Sequence, residues 1–246
     1  MKAEIISNSH VARGYFDMKF AAAFDGAEPG QFVMIRVTGS MDPLLRRPMS
    51  VAGFENGICR VIYKVVGRGT QLLSAKNPGD SIDVLGPFGN AFSPPDTAEN
   101  ILLVGGGIGI APLLYWHLRN PGRKATAFIG GAASNDILCA DEFKHSTIAT
   151  MDGSAGVRGL VTSPLLETGL LREKGTYLLA CGPKGMLKAV DGICIQHGVS
   201  GELSLEERMG CGFGVCLGCV VDTSGGRKRM CVDGPVFGVG SVKWQT

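Results

Sequence analysis

Four of the chain's eight cysteines, Cys211, Cys216, Cys219 and Cys231, stand within 21 residues in the spacing C-x4-C-x2-C-x11-C. Glycines at 210, 212, 214 and 218 lie between them. Disulfides, a zinc site and an iron–sulfur cluster each explain such crowding, and each demands a different neighbourhood. The N-terminus, MKAEIISNSH, has no apolar core after its lysine and does not read as a secretory signal. The apolar run Ile101–Leu118 has the length of a short membrane span. Glycines and Pro112 break it, which suits a strand, a tight turn and a helix start. The chain therefore reads as soluble and cytoplasmic, with no membrane association. In that compartment clustered cysteines more often serve metal or redox chemistry than structural disulfides.

The pattern around the cluster divides into three expected units. Residues 1–97 read as β-rich: QFVMIRV (31–37) and CRVIYKVV (59–66) alternate in the strand manner, and EPGQ, ENG, NPGD and GPFGN are turn signals. Short strands at regular spacing suggest a small antiparallel barrel. SPPDTAEN (93–100) marks a boundary. Residues 98–205 change period. The apolar strands ILLVGG (101–106), ATAFIGGA (125–132) and TYLLACG (176–182) alternate with helical stretches, as in a doubly wound parallel sheet. Residues 206–246 form the cysteine-bearing third unit. The expected class is β plus α/β. At 45% hydrophobic and 19% charged the chain is globular, and a net charge of +2 gives no case for nucleic acid.

Gly105-Gly106-Gly107-Ile108-Gly109 follows an apolar strand and precedes a helix. Glycines there let backbone approach a pyrophosphate at a helix N-terminus. A turn that merely packs helix on strand explains the same residues. No acidic residue closes the next strand, so the dinucleotide fingerprint is incomplete. Asp136 lies a few residues on, within reach of a ribose. GAASN lacks an arginine for a 2′-phosphate, which leans toward NAD. Earlier, Arg47 in RRPMSV offers a fork of donors suited to a pyrophosphate, Pro48 stiffens the chain and Ser50 suits a ring nitrogen. A basic surface loop before an edge strand is the plain alternative. Tyr63 in Ile62-Tyr63-Lys64 is placed to flank a flavin or an adenine, although a strand tyrosine is more often core. Gly67-Arg68-Gly69-Thr70 opens a helix, with Thr70 expected as its N-cap.

RRPMSV, IYKVVGRGT, GPFGNAF (86–92), LLVGGGIGIAPL and LLACGPKGM, in that order, resemble the ferredoxin–NADP reductase superfamily. The tail ERMGCGFGVCLGC…RMCVDGPVF resembles one branch of it, the electron-transfer subunits of NAD-dependent, two-subunit dihydroorotate dehydrogenases. The resemblance implies FAD held by Arg47, Pro48, Met49 and Ser50, by Ile62, Tyr63 and Lys64, and by Gly69 and Thr70. It implies NAD at Gly105, Gly106, Gly107 and Gly109, with the nicotinamide beside Cys181 and Gly182. A [2Fe–2S] cluster falls on Cys211, Cys216, Cys219 and Cys231. Met49 departs from the usual isoleucine or leucine, and its flexible side chain fills the same space.

The cysteine spacing is the plant-type [2Fe–2S] spacing. Zinc sites more often come as two short C-x2-4-C pairs, and here the fourth cysteine has no close partner. Cys59, Cys139 and Cys194 are scattered and read as buried free thiols. Four isolated histidines suggest no triad. Arg208, Arg227, Lys228 and Arg229 flank the cluster and suit either a partner or a solvated loop. The implied function is electron transfer with no catalytic acid, base or nucleophile in this chain. A partner flavoprotein oxidises dihydroorotate in pyrimidine biosynthesis, and electrons pass by cluster and FAD to NAD⁺ within a heterotetramer of two plus two. The alternatives are a reductase subunit of a transhydrogenase, hydrogenase or sulfide reductase and, from another class, a zinc-stabilised nucleotide-binding regulator.

Overall fold

Alternation of buried and exposed residues sets the first half of the chain. In the computed structural model, which describes residues 1–244, six strands form there. They are β1 (Lys2–Ala12), β2 (Tyr15–Ala21), β3 (Phe32–Arg36), β4 (Arg47–Glu55), β5 (Ile58–Lys64) and β6 (Ser81–Phe88), with helix α1 (Arg68–Ser74) before the last. All neighbours are antiparallel, and the strands close into a barrel in the order β1-β2-β5-β4-β3-β6. Closure removes the sheet edges. Ile5, Met18, Phe20, Val33, Ile35, Val51 and Val61 fill the interior. The RRPMSV segment is therefore no loop before an edge strand, because β4 lies between β5 and β3.

The second half begins with β7 (Asn100–Gly106), every residue of which is buried. That continuous burial is the signature of a strand covered on both faces. It is followed by α2 (Ile110–Arg119), β8 (Ala125–Gly131), β9 (Ser146–Thr150), β10 (Val157–Arg158), α3 (Thr162–Glu167), β11 (Thr176–Cys181), α4 (Lys184–His197) and β12 (Ser200–Ser204). The apolar run Ile101–Leu118 resolves into β7, a glycine turn and α2. Among the described residues no helix is long and apolar enough to cross a membrane.

The last stretch supplies β13 (Val220–Thr223), β14 (Gly226–Arg229), α5 (Met230–Asp233) and β15 (Val236–Gly238). β13 and β14 form a hairpin, whereas β15 returns to pair antiparallel with β12. The large sheet thus has the order β10-β9-β8-β7-β11-β12-β15, parallel except for β15. The third expected unit lends a strand to the second. Its last two residues, Gln245 and Thr246, lie outside the described residues.

β8 and β11 flank β7 on opposite sides, so the order of connection reverses there. Ligands of such sheets bind in the crevice beyond the carboxyl ends of the strands at this reversal. Helix α2 buries Ile110 through Trp116 between sheet and barrel, and the Tyr115 hydroxyl donates to the Ala27 carbonyl. Tyr15, Ala52 and Ile62 of the barrel share one core with Ile101, Leu103 and Ile110. Barrel and sheet are therefore packed as one body around the crevice.

Candidate functional site

A cleft of about 410 Å³ opens between barrel, sheet and cysteine unit. It gathers all nine barrel residues of the expected flavin segments: Arg47, Pro48, Met49 and Ser50 from β4, Ile62, Tyr63 and Lys64 from β5, and Gly69 and Thr70 from α1. A Cβ on Gly69 would stand 2.4 Å from Arg47 Nε. Only a residue without a side chain lets the guanidinium lie across that turn, and the result is a bare backbone cradle facing a fixed fork of N–H donors. Those residues fit a pyrophosphate-bearing flavin.

Two expectations change in detail. Thr70 is not the N-cap, which is Gly67; it sits three residues inside the helix. Its Oγ1 accepts the Val66 and Gly67 N–H groups at 2.9 and 3.2 Å, so the hydroxyl caps backwards from within the first turn. Tyr63 borders the cleft, but its ring is 2% exposed, stacks on Phe16 and donates to Asn8 Oδ1 at 2.9 Å. That ring is committed to the barrel.

A second cleft of about 450 Å³ lies over the carboxyl ends of β7 and β8. Gly106, Gly107 and Gly182 line it. Gly105, Gly109 and Cys181 stand behind its wall. A Cβ on Gly109 would lie 2.3 Å from the Cys181 carbonyl oxygen, so this glycine serves close packing of turn on strand. The glycine turn thus packs on the strand at Gly109 and lines the cleft at Gly106 and Gly107. Cys181 is 1% exposed, and burial pushes its thiol up.

The two clefts meet at Lys64, Ile108 and Glu206, which line both. Asp136 accepts the Tyr15 hydroxyl at 2.6 Å and the Lys64 ammonium at 3.0 Å. The Tyr15 bond, with Lys64 beside it, holds the Asp136 carboxyl below the usual range. A group expected to face a ribose therefore also ties barrel to sheet.

Glu206 is the notable residue that the sequence did not single out. Its surface is open to the clefts, yet it lies deep between their walls, and desolvation raises its carboxyl. Its position just past the end of the strand pattern GELSL was the available signal. Phe32, Met209 and Pro235 complete the first cleft. They come from three distant segments: Met209 and Pro235 lie inside the two tail motifs, whereas Phe32 is an ordinary strand residue.

Beside the first cleft, the cysteine loop wraps its thiols in backbone. The Gly214 N–H points at Cys231 Sγ (3.1 Å), and the Cys216 N–H at Cys211 Sγ (3.5 Å). Burial opposes ionisation of Cys211, but N–H groups of Cys216, Phe213 and Val215 outweigh it and bring the thiol down to about 6. Burial and the neighbouring Cys219 thiol push Cys231 up to about 11. Cys216 lies beside Cys211 and Cys219 beside Cys231, and Cys211 in turn acts on Cys231. Among the described residues no three His, Cys, Asp or Glu side chains converge on one ion. Four neighbouring thiols with N–H groups aimed at sulfur fit a two-iron cluster, which spreads four thiolates over two metals.

Such a barrel, nucleotide-type sheet and thiol loop define a pyridine-nucleotide-linked flavin and iron–sulfur electron-transfer protein. Residues 206–243 match the iron–sulfur cluster binding domain of dihydroorotate dehydrogenase B. The chain is 46% identical to the dihydroorotate dehydrogenase B (NAD(+)) electron transfer subunit of Geobacillus thermodenitrificans (strain NG80-2), over 87% of this chain and 86% of the relative. It is 37% identical to that of Desulforamulus reducens (strain ATCC BAA-1160 / DSM 100696 / MI-1), over 99% and 98%. The chain belongs to the family of dihydroorotate dehydrogenase B electron transfer subunits. Among solved structures it is similar to an NADH-dependent reduced ferredoxin-NADP oxidoreductase used to study flavin-based electron bifurcation. The TM-score is 0.87 at 36% identity, over 98% of this chain and 90% of the other.

Proposed function

We propose that this chain carries electrons from a dihydroorotate-oxidising flavoprotein subunit to NAD⁺ in pyrimidine biosynthesis. The observation that carries the reading is continuity of the three sites. The flavin cleft meets the nucleotide cleft at Lys64, Ile108 and Glu206, and Phe32 in its wall shares a core with Cys219 and Cys231. When bound, a flavin exchanges electrons in pairs with a nicotinamide and singly with a cluster, which is why it belongs between them.

The chain's own residues bind and orient. Arg47 and the bare turn at Gly69 hold the flavin's pyrophosphate, while Pro48, Met49, Ser50, Ile62, Tyr63, Lys64 and Thr70 wall its cleft. Gly106, Gly107 and Gly182 let the dinucleotide approach backbone, backed by Gly105, Gly109 and Cys181. Glu206 closes the junction where the two ligands meet. Cys211, Cys216, Cys219 and Cys231 hold the cluster. We assign residues 1–97 to FAD, 98–205 to NAD and 206–246 to the cluster, as functional units of which the last two share one sheet.

The partner's docking face is placed at the cluster. Phe213, Val215, Leu217 and Val232 of the cysteine unit are 52%, 73%, 62% and 44% exposed, and Arg208 and Arg227 of the same unit are exposed as well. Exposed apolar residues in company with charged ones suit a protein interface. The assembly is a cytoplasmic heterotetramer of two plus two. The test is dihydroorotate-dependent NAD⁺ reduction by the complex that co-purifies with the chain. Turnover that disappears on removing the partner supports the reading, and none from the intact complex overturns it.

Likeness to the NADH-dependent ferredoxin-NADP oxidoreductase favours a transhydrogenase subunit as the second reading. A complex that reduces ferredoxin with NADPH and ignores dihydroorotate would select it. Iron with acid-labile sulfide separates both from a zinc-stabilised regulator.

A further inference from the structure

One buried carboxylate fastens the end of the chain to helix α4. Asp191 is 3% exposed. Its Oδ1 accepts the Gly240 N–H at 2.8 Å, and its Oδ2 accepts the Trp244 indole N–H at 2.7 Å. Burying a carboxylate is costly unless its lone pairs are filled, and here two neutral donors of the tail fill them. An apolar side chain would anchor the tail without fixing its direction. Two acceptors on one rigid group fix two donors four residues apart.

The segment between those donors reaches the cluster hairpin. The Lys243 N–H donates to the Asp222 carbonyl at 2.9 Å, the Ser224 N–H donates to the Ser241 carbonyl at 2.7 Å, and Val242 stands opposite Thr223. The hairpin runs straight into two of the cysteines. β13 begins directly after Cys219, α5 carries Cys231, and the Met230 N–H donates to the Cys219 carbonyl at 2.9 Å. Between the hairpin and the start of α4 lies a cavity of about 330 Å³, bordered by Val220, Asp222, Lys184 and Trp244. The cavity separates the outer part of the hairpin from the start of α4, and Val242, Lys243 and Trp244 of the tail line it beside both.

We propose that Asp191 is a positioning residue for electron transfer: through the tail and hairpin it sets where Cys219 and Cys231 stand relative to the flavin and nucleotide clefts. The inference rests on the reading of residues 206–246 as a cluster unit. Asp191 touches neither cleft, so its effect separates from ligand binding.

The test compares Asp191→Asn and Trp244→Phe with the parent protein in the complete complex. Asn at 191 keeps the shape but turns an NH₂ toward a donor, and Phe at 244 removes one donor. Two turnovers are read: NADH oxidation by ferricyanide, which needs only the flavin, and dihydroorotate-driven NAD⁺ reduction, which needs the cluster. Iron release to a chelator and the EPR line shape of the reduced cluster are recorded alongside. Asp191→Asn is expected to slow the cluster-dependent turnover and speed iron release by about tenfold, the worth of one hydrogen bond to a charged group. Ferricyanide turnover should stay within about twofold and the EPR line should broaden; Trp244→Phe should act in the same direction but less. Equal loss of both turnovers, or an unchanged cluster signature in both variants, overturns the proposal. A parent protein without acid-labile sulfide overturns the cluster reading itself, and is recognised before any variant is compared.

Discussion

The guanidinium of Arg47 lies directly against Gly69: a methyl group on that glycine would stand 2.4 Å from Nε and 2.7 Å from Cζ. Two segments more than twenty residues apart thus meet in one wall of the first cleft. Gly69→Ala should push the flexible end of Arg47 off the turn, and losing that charged donor should weaken FAD binding roughly tenfold. Flavin fluorescence titration of the apoprotein measures it. Unchanged affinity with an intact barrel would remove this pair from the flavin site.

Cys219 and Cys231 are 3% and 2% exposed, within the core that also holds Phe32 and Met34. Cys219→Ser should abolish bound iron and acid-labile sulfide while FAD remains and NADH–ferricyanide turnover persists. Metal analysis and the visible spectrum check this. A variant that retains iron at the parent level would show that these four thiols are not the ligand set.

Arg60 ties barrel to sheet. Its Nη1 and Nη2 donate to Glu142 at 2.9 Å each, and its Nε donates to Asp17 Oδ2 at 2.9 Å. Arg60→Met would leave two half-buried carboxylates facing each other, at a cost of about 3 kcal/mol, seen as a lower denaturation midpoint. The Arg60 bonds hold the Glu142 carboxyl below its ordinary value. The unfolded chain therefore binds the proton more readily. The stability from this pair is present above about pH 4.3 and drains as pH falls through the folded value. Glu142→Gln should be less stable than the parent at pH 7, and the difference should shrink as pH falls below about 4.3 toward the folded value.

Glu206 shifts the other way, raised by desolvation. The folded state then binds the proton more readily, so stability is lost as pH rises from the unfolded to the folded value. Glu206→Gln should raise the melting temperature of the flavin-free protein at pH 8 and leave it unchanged near pH 4. A lower melting temperature at pH 8 would mean that the carboxylate has a partner, contrary to the desolvation argument.

Much of the first cleft was legible because it is built from contiguous motifs. RRPMSV, IYK and GT each carry their residues locally, and barrel closure merely brings them together. The strands that escaped, among them β9 and β12, have mixed apolar and polar residues. Pairing with the buried β8 and β11 decides their state more than their own pattern does. Thr70 was misplaced as a cap because its hydroxyl bonds backwards to Val66 and Gly67, and no spacing rule marks that geometry.

By itself the sequence determined the order of the three units, the glycine turns and the four-thiol loop, since each depends on residues close together in the chain. Tertiary packing alone makes the clefts share Lys64, Ile108 and Glu206, and sets Gly109 against Cys181 while Gly107 lines the second cleft. The tertiary structure alone also anchors the chain's end through Asp191. Those relationships join residues far apart in the chain. They follow from how apolar faces of barrel, sheet and loop bury against one another, which no local pattern encodes.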